Sequence, residues 1–170
     1  ITLFRAAMPL KVGFTAMIST LRRPNPDMAP TLAKASCLYA NTSRALKEAN
    51  KKGFDNVVMR DGEGNVVEFG SANLFAVYKG KLLTPVWNKT FLNGITKKRL
   101  ISLFDREGIE VEETFLSVKK LLACDEVFST GNFGKVLPVI RINDKKYEIG
   151  KNCIRAMELY SEFAAKSIIN

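Results

Sequence analysis

The sequence contains no histidine. That absence excludes Ser-His-Asp and Cys-His nucleophile systems and removes the commonest zinc ligand, so no metal site is expected. Any catalysis must run on Lys, carboxylates, Tyr or a cofactor. Cysteine is scarce: Cys37, Cys124 and Cys153 are odd in number and widely spaced, with no C-x-x-C. This fits the reduced thiols of a cytoplasmic protein better than a disulfide frame, and each thiol reads as a small hydrophobe. No run of 18 apolar residues occurs, so no segment is expected to span a membrane. Internal repeats and low-complexity tracts are lacking too.

Acidic residues are few near the start. Residues 1–60 hold ten Lys/Arg against three Asp/Glu, which places +7 of the chain's net +9 in its first third. Such a surplus suits nucleic acid, anionic lipid or a phosphorylated small ligand, or is a solvated basic surface. The basic clusters are short (Arg22-Arg23, Lys51-Lys52, Lys97-Lys98-Arg99), and no aromatic-basic repeat of the RNA-binding sheet type appears. No nucleic-acid partner is expected.

What remains is the composition of one globular domain: 170 residues, 46% hydrophobic and 25% charged. The first residue is Ile1, and the opening ITLFRAAMPLKVGFTAMIST is acid-free like a transit peptide. Pro9 and Gly13 interrupt an amphipathic helix there, and Val12–Ser19 reads as a strand. Arg22–Pro30 carries three prolines and reads as an extended loop. Leu38, Thr42, Ala45, Leu46 and Ala49 keep helical spacing up to Gly53. Asn56–Arg60 and Val66-Val67 read as strands around the turn Asp61–Asn65. Asn73–Tyr78 and Lys81–Val86 make a second hairpin on Lys79-Gly80. A helix follows Asn93-Gly94, with Leu100, Ile101, Leu103 and Phe104 on its apolar face and Gly108 at its end. Ile109–Thr114 reads as a strand and Ser117–Ala123 as a short helix with Ser117 as N-cap. Glu126–Ser129 and Val136–Asn143 read as strands. Ile154, Met157, Tyr160, Ala164 and Ile168 mark a closing amphipathic helix. Hairpins with dispersed helices predict a mixed α+β domain, not a doubly wound sheet.

Four segments could carry chemistry, and each also has an ordinary reading. Gly94-Ile95-Thr96 at a helix start offers unpaired N–H groups, a hydroxyl and the positive field of Lys97 and Lys98, the outline of a phosphate cup; it is equally an ordinary helix start. Lys34, in TLAKASCLY, has apolar sequence neighbours whose burial would depress its pKa, or it snorkels to water. Glu68 ends an apolar strand and needs a cationic or N–H partner, which could be a plain salt bridge. Ser129–Gly134 is a small-residue loop whose amides could hold an anion or simply turn the chain. Together these supply a Lys for a Schiff base, a Glu for a ring nitrogen and N–H-rich loops for a phosphate and a carboxylate, the set a pyridoxal-phosphate enzyme requires.

The chain also resembles the C-terminal large domain of fold-type IV pyridoxal-phosphate-dependent aminotransferases, branched-chain aminotransferases most of all. The resemblance rests on LAKASCLY (32–39), VVEFGSANLF (66–75), FLNGIT (91–96) and DEVFSTGNFGKVLPV (125–139), in family order. It implies an α+β fold with a mixed, largely antiparallel, barrel-like sheet and with the N-terminal small domain missing. Residues 1–11 would then be an interdomain connector or a remnant of that domain, and residues 12–170 the cofactor-binding catalytic domain. It implies Lys34 as the Schiff-base and proton-shuttling Lys, and Tyr39 on the cofactor's phenolic oxygen. Glu68 would meet the pyridine nitrogen, Leu92 the ring face, and Ile95 and Thr96 the phosphate. Asn132 would serve the phosphate and, with Phe133, the substrate carboxylate; the family commonly has Thr and a small residue at those two places.

The implied activity is transfer of the amino group of Leu, Ile or Val to 2-oxoglutarate by a cytoplasmic homodimer using pyridoxal 5′-phosphate. Its partners would be amino-acid and 2-oxo-acid substrates. The alternatives are an aminodeoxychorismate lyase or D-amino-acid aminotransferase of the same fold, or a truncated fragment without turnover.

Overall fold

The computed structural model describes residues 12–168. The segment expected to be a connector or domain remnant, residues 1–11, and the side chain of Ile168 lie outside the described residues. The strands are β1 (Phe14–Arg22), β2 (Asn56–Arg60), β3 (Val66–Phe69), β4 (Asn73–Tyr78), β5 (Lys81–Pro85), β6 (Val111–Thr114), β7 (Glu126–Gly131), β8 (Lys135–Ile142) and β9 (Lys145–Lys146). The helices are α1 (Tyr39–Lys51), α2 (Ile95–Arg106), α3 (Val118–Leu122) and α4 (Lys151–Ile168), with a 3-10 turn at Ser36–Leu38 leading into α1. Each expected element is present, Asn56–Arg60 and Asn73–Tyr78 with the expected bounds and the others with ends moved by at most three residues; the 3-10 turn and β9 were not anticipated.

The strands form one mixed sheet in the order β3-β2-β1-β8-β7-β4-β5-β6, with β9 paired to β8. Among the described residues the hairpins β2–β3, β4–β5, β7–β8 and β8–β9 are antiparallel. The turn of the β4–β5 hairpin takes positive φ at both Lys79 and Gly80, the twist a tight two-residue connection demands. Three pairings are parallel: β1 with β2, β1 with β8, and β5 with β6. Two of these arise because α1 and α2 are crossovers that return the chain in the same direction. The two ends of the sheet approach each other, since Val66 on β3 bridges Leu116 just beyond β6 and its N–H donates to the Leu116 carbonyl at 2.8 Å. That contact makes the sheet barrel-like.

Strand alternation then builds separate cores on its two faces. On β4, Leu74 and Ala76 face a cluster with Ala16, Phe69, Val127 and Val139, while Phe75 and Val77 face α2 and α4 through Leu100, Phe104, Ala156 and Leu159. A third cluster packs Ala45 and Ala49 of α1 on Met17, Val57 and Met59. The start of α4 is held from β7: the Glu126 carboxylate accepts from Cys153 N at 3.0 Å and from Asn152 Nδ2 at 2.9 Å. Gly150 must lack a side chain because its Cβ would fall on that carboxylate. Replacing Glu126 with Ala is expected to lower the unfolding free energy by about 1–2 kcal/mol, as the loss of a helix cap does. Urea unfolding with an unchanged m-value is the check; an unchanged midpoint would contradict the cap.

Candidate active site

Four connections meet on one side of the sheet: residues 23–38 after β1, the Gly70–Ala72 turn between β3 and β4, residues 86–94 before α2, and the β7–β8 turn at 131–134. They enclose a cavity of about 700 Å³, within the range of small-molecule sites. Lys34, Tyr39, Glu68, Leu92, Ile95, Thr96 and Asn132 all line it.

Glu68 is the deepest of these. Its Oε1 lies 2.5 Å from an Arg23 guanidinium nitrogen, and both side chains are almost wholly buried. The same nitrogen donates to the Gly70 carbonyl at 3.1 Å, so Arg23 ties the end of β1 to the β3–β4 turn. Burial pushes the Glu68 carboxyl up, to about 7, against the opposing pull of the Arg23 charge and hydrogen bond and of the Lys34 ammonium. The cationic partner that Glu68 needed is thus present, and the same carboxylate also faces the cavity.

Lys34 departs from its expected environment. It lies in the loop before the 3-10 turn and is exposed, as are Leu32, Ala33, Ser36 and Cys37; Leu32 is 63% exposed. Neighbours that are apolar in sequence do not fold over it, so of its two readings Lys34 takes the one in which it reaches water. Tyr39, the first residue of α1, is half-buried on the same wall.

On the same lining, α2 begins with Gly94 as N-cap, with no side-chain cap and no acid in its first turn. Thr96 is buried, while Ile95 is 81% exposed at the mouth. Lys97 does not contribute to the cavity as expected. It is fully buried, with Nζ donating to the Pro85 carbonyl at 3.0 Å and lying 2.7 Å from Glu113. Only Lys98 of the basic trio lines the cavity.

The structure does not bring Phe133 to this cavity. Gly131 pairs with Lys135, which leaves Phe133 at the tip of the connecting turn, 64% exposed, where it lines a neighbouring cavity of about 330 Å³. Asn132, Ser71, Ala72 and Gly131 border both cavities, so the β7–β8 turn and the β3–β4 turn form the partition.

Four buried polar atoms on residues lining the larger cavity make no hydrogen bond: Arg23 Nε, Thr31 Oγ1, Asn93 Oδ1 and Thr130 Oγ1. Unsatisfied buried polar atoms are costly, and four of the seven found among the described residues belong to side chains of this lining. Sequence reasoning missed Arg23, Thr31 and Thr130. Arg23 and Thr31 flank a proline-rich stretch with no spacing rule to single them out; Thr130 stood inside the small-residue loop that was noted.

A family model described as amino-transferase class IV matches residues 1–142. The chain belongs to that family. It is 34% identical over 152 residues to a probable branched-chain-amino-acid aminotransferase of Aquifex aeolicus, covering 87% of this chain and 49% of the relative. Among solved structures it is similar to an aminotransferase from Brucella abortus bound to the co-factor PLP, with TM-score 0.91, 44% identity, and coverage of 94% of this chain and 57% of that one. It is also similar to a branched-chain aminotransferase from Thermoproteus uzoniensis with norvaline, with TM-score 0.85, 34% identity and coverage of 88% and 50%. The chain therefore spans about half the length of these class IV relatives, and the barrel-like mixed sheet is the fold it shares with them.

The buried carboxyl has a measurable signature. Its folded pKa lies above the ordinary 4.5, so the folded state binds the extra proton between pH 4.5 and about 7. Stability relative to Glu68→Gln is therefore fully present below 4.5 and is lost as pH rises through about 7, by roughly 3 kcal/mol at most. Urea unfolding of both proteins across this window checks it; parallel profiles would contradict it.

Proposed function

We propose that the larger cavity is the pyridoxal 5′-phosphate site of an aminotransferase acting on branched-chain amino acids (Leu, Ile, Val), with 2-oxoglutarate as the amino acceptor. The observation that carries this is the convergence of an accessible amine, a buried carboxylate and an acid-free helix N-terminus on one cavity, with Lys34, Glu68 and Thr96 on its walls. The residues present fit the group. The unsatisfied atoms of Thr31, Asn93, Thr130 and Arg23 are ready for a polar ligand, and the first turn of α2 suits a phosphate. When bound, pyridoxal phosphate supplies an electron sink for bond breaking at the amino acid's α-carbon.

The chain's own side chains divide the remaining work. Lys34 Nζ is the amine that would hold the cofactor's aldehyde carbon and would move a proton to or from the substrate α-carbon. Glu68 holds a proton at the pyridine nitrogen, and Arg23 keeps that carboxylate in place. Tyr39 hydroxyl bonds the phenolic oxygen, Leu92 packs on the ring face, and the Ile95 and Thr96 amides with the Thr96 hydroxyl bind phosphate. Asn132 serves the phosphate and substrate carboxylate, and Phe133 borders the substrate end from the adjoining cavity. Support for an aliphatic substrate comes from the two branched-chain relatives and from norvaline in one of them.

A homodimer in the cytoplasm belongs to the same proposal. Exposed apolar side chains at the cavity mouth, Leu32, Trp87 and Ile95, favour a covering protein surface, and three unpaired thiols favour a reducing compartment.

Borohydride reduction of the chain mixed with pyridoxal phosphate, followed by peptide mapping, is the test. A single label on Lys34, absent from Lys34→Ala, is expected; label spread over surface lysines would contradict the site. Turnover of Leu, Ile or Val dependent on a 2-oxo acid separates this activity from a D-amino-acid aminotransferase and from an aminodeoxychorismate lyase.

A further inference from the structure

Gly94 precedes the proposed phosphate-binding turn, and the obvious reason for a glycine there is conformational freedom or close approach of an anion. Neither is what its surroundings show. Its φ is −60° and ψ is 144°, a conformation open to any residue. The space its Cβ would enter is instead filled by the Asn73 Oδ1. Asn73 is the first residue of β4, is 5% exposed, and spends both ends of its amide on this loop. Its Nδ2 donates to the Leu92 carbonyl at 2.9 Å and its Oδ1 accepts from Gly94 N at 3.2 Å.

The same residue touches the other parts of the cavity through its backbone. It stands five positions after Glu68, at the exit of the β3–β4 turn, and pairs in register with Thr130, next to the β7–β8 turn. A planar amide with two fixed bonds therefore ties the start of β4, which follows Glu68 through the β3–β4 turn, to the N-terminus of α2, and both border the same cavity. Gly94 itself has no side-chain cap, so this clamp and the buried Lys97 are what anchor the start of the helix.

We propose that Asn73 is a positioning residue that sets the distance between the ring-nitrogen carboxylate, Glu68, and the phosphate-binding turn of α2, and that Gly94 is bare because Asn73 occupies its side-chain space. This rests on the cofactor site proposed above. Asn73 touches no cofactor atom in the proposal; it acts through Leu92 and Gly94. Any side chain at Gly94 must push the buried amide out of place, which breaks both of its hydrogen bonds.

The test compares pyridoxal phosphate with pyridoxal, which lacks the phosphate, by equilibrium binding to the 170-residue chain. Asn73→Ala is expected to weaken pyridoxal phosphate about tenfold or more and pyridoxal by a clearly smaller factor, since pyridoxal keeps Glu68, Tyr39 and Lys34, loses only the placement of Leu92, and makes no use of the phosphate-binding turn. Gly94→Ala should cost a similar factor in the wild-type background and less than about twofold once residue 73 is Ala, a non-additivity that direct contact predicts. An unchanged phosphate preference in Asn73→Ala, or an equal cost of Gly94→Ala in both backgrounds, would overturn the assignment. Should the wild-type chain itself show no preference for the phosphorylated ligand, the cofactor site fails. The clamp is then judged by urea unfolding alone: the midpoint loss caused by Gly94→Ala disappears in the Asn73→Ala background if the clamp exists, and persists if it does not.

Discussion

The arrangement of the cavity depends on one buried ion pair, Arg23 with Glu68. Neither charge could be buried alone, because an unpaired carboxylate or guanidinium in an apolar interior is prohibitively costly. Paired, they still bring little net stability, and a hydrophobic pair of equal volume would do as well or better. What the pair contributes is position. The guanidinium joins the end of β1 to the β3–β4 turn through Glu68 and the Gly70 carbonyl, and leaves a carboxylate facing the cavity whose proton affinity is raised by burial and restrained by its neighbour.

That fixed carboxylate gains its meaning from what else lines the cavity. Helix α2 opens into the cavity with free N–H groups and no acid in its first turn. A basic sequence at a helix N-terminus opposes the helix dipole unless the cations are engaged or an anion is present. Lys97 is engaged, its buried ammonium paired with the half-exposed carboxylate of Glu113 and the Pro85 carbonyl, which leaves the N–H groups and Lys98 for a ligand. A molecule that carries both a basic ring nitrogen and a phosphate matches the carboxylate and the helix start, and an exposed Lys34 lines the same cavity.

Most of the fold was legible because its signals are local. Strand alternation, the Lys79-Gly80 turn, the Ser117 cap and helical spacing in α1, α2 and α4 all act within a few residues, and each marks an element that is present. Parallel pairing was not legible: α1 and α2 look like helices between hairpins, and only the closed sheet shows them to be crossovers. Within the site, Gly94-Ile95-Thr96 announced a helix start by its own residue types. Arg23, Asn73 and Lys97 act across gaps of 45, 21 and 16 positions to Glu68, Gly94 and Glu113, and no period connects such pairs. The environments of Lys34 and Phe133 were not legible either, because apolar sequence neighbours do not guarantee burial in a loop, and a residue at a hairpin tip need not line the cavity its neighbour borders.

The central claim is that Glu68 meets the pyridine nitrogen of pyridoxal phosphate in this cavity. The most direct measurement is the nitrogen-15 shift of ring-labelled pyridoxal phosphate bound to the chain and to Glu68→Gln. The account predicts a protonated ring nitrogen in the wild type and a neutral one in the variant. A neutral ring nitrogen in both, or the same protonated signal in both, would contradict it.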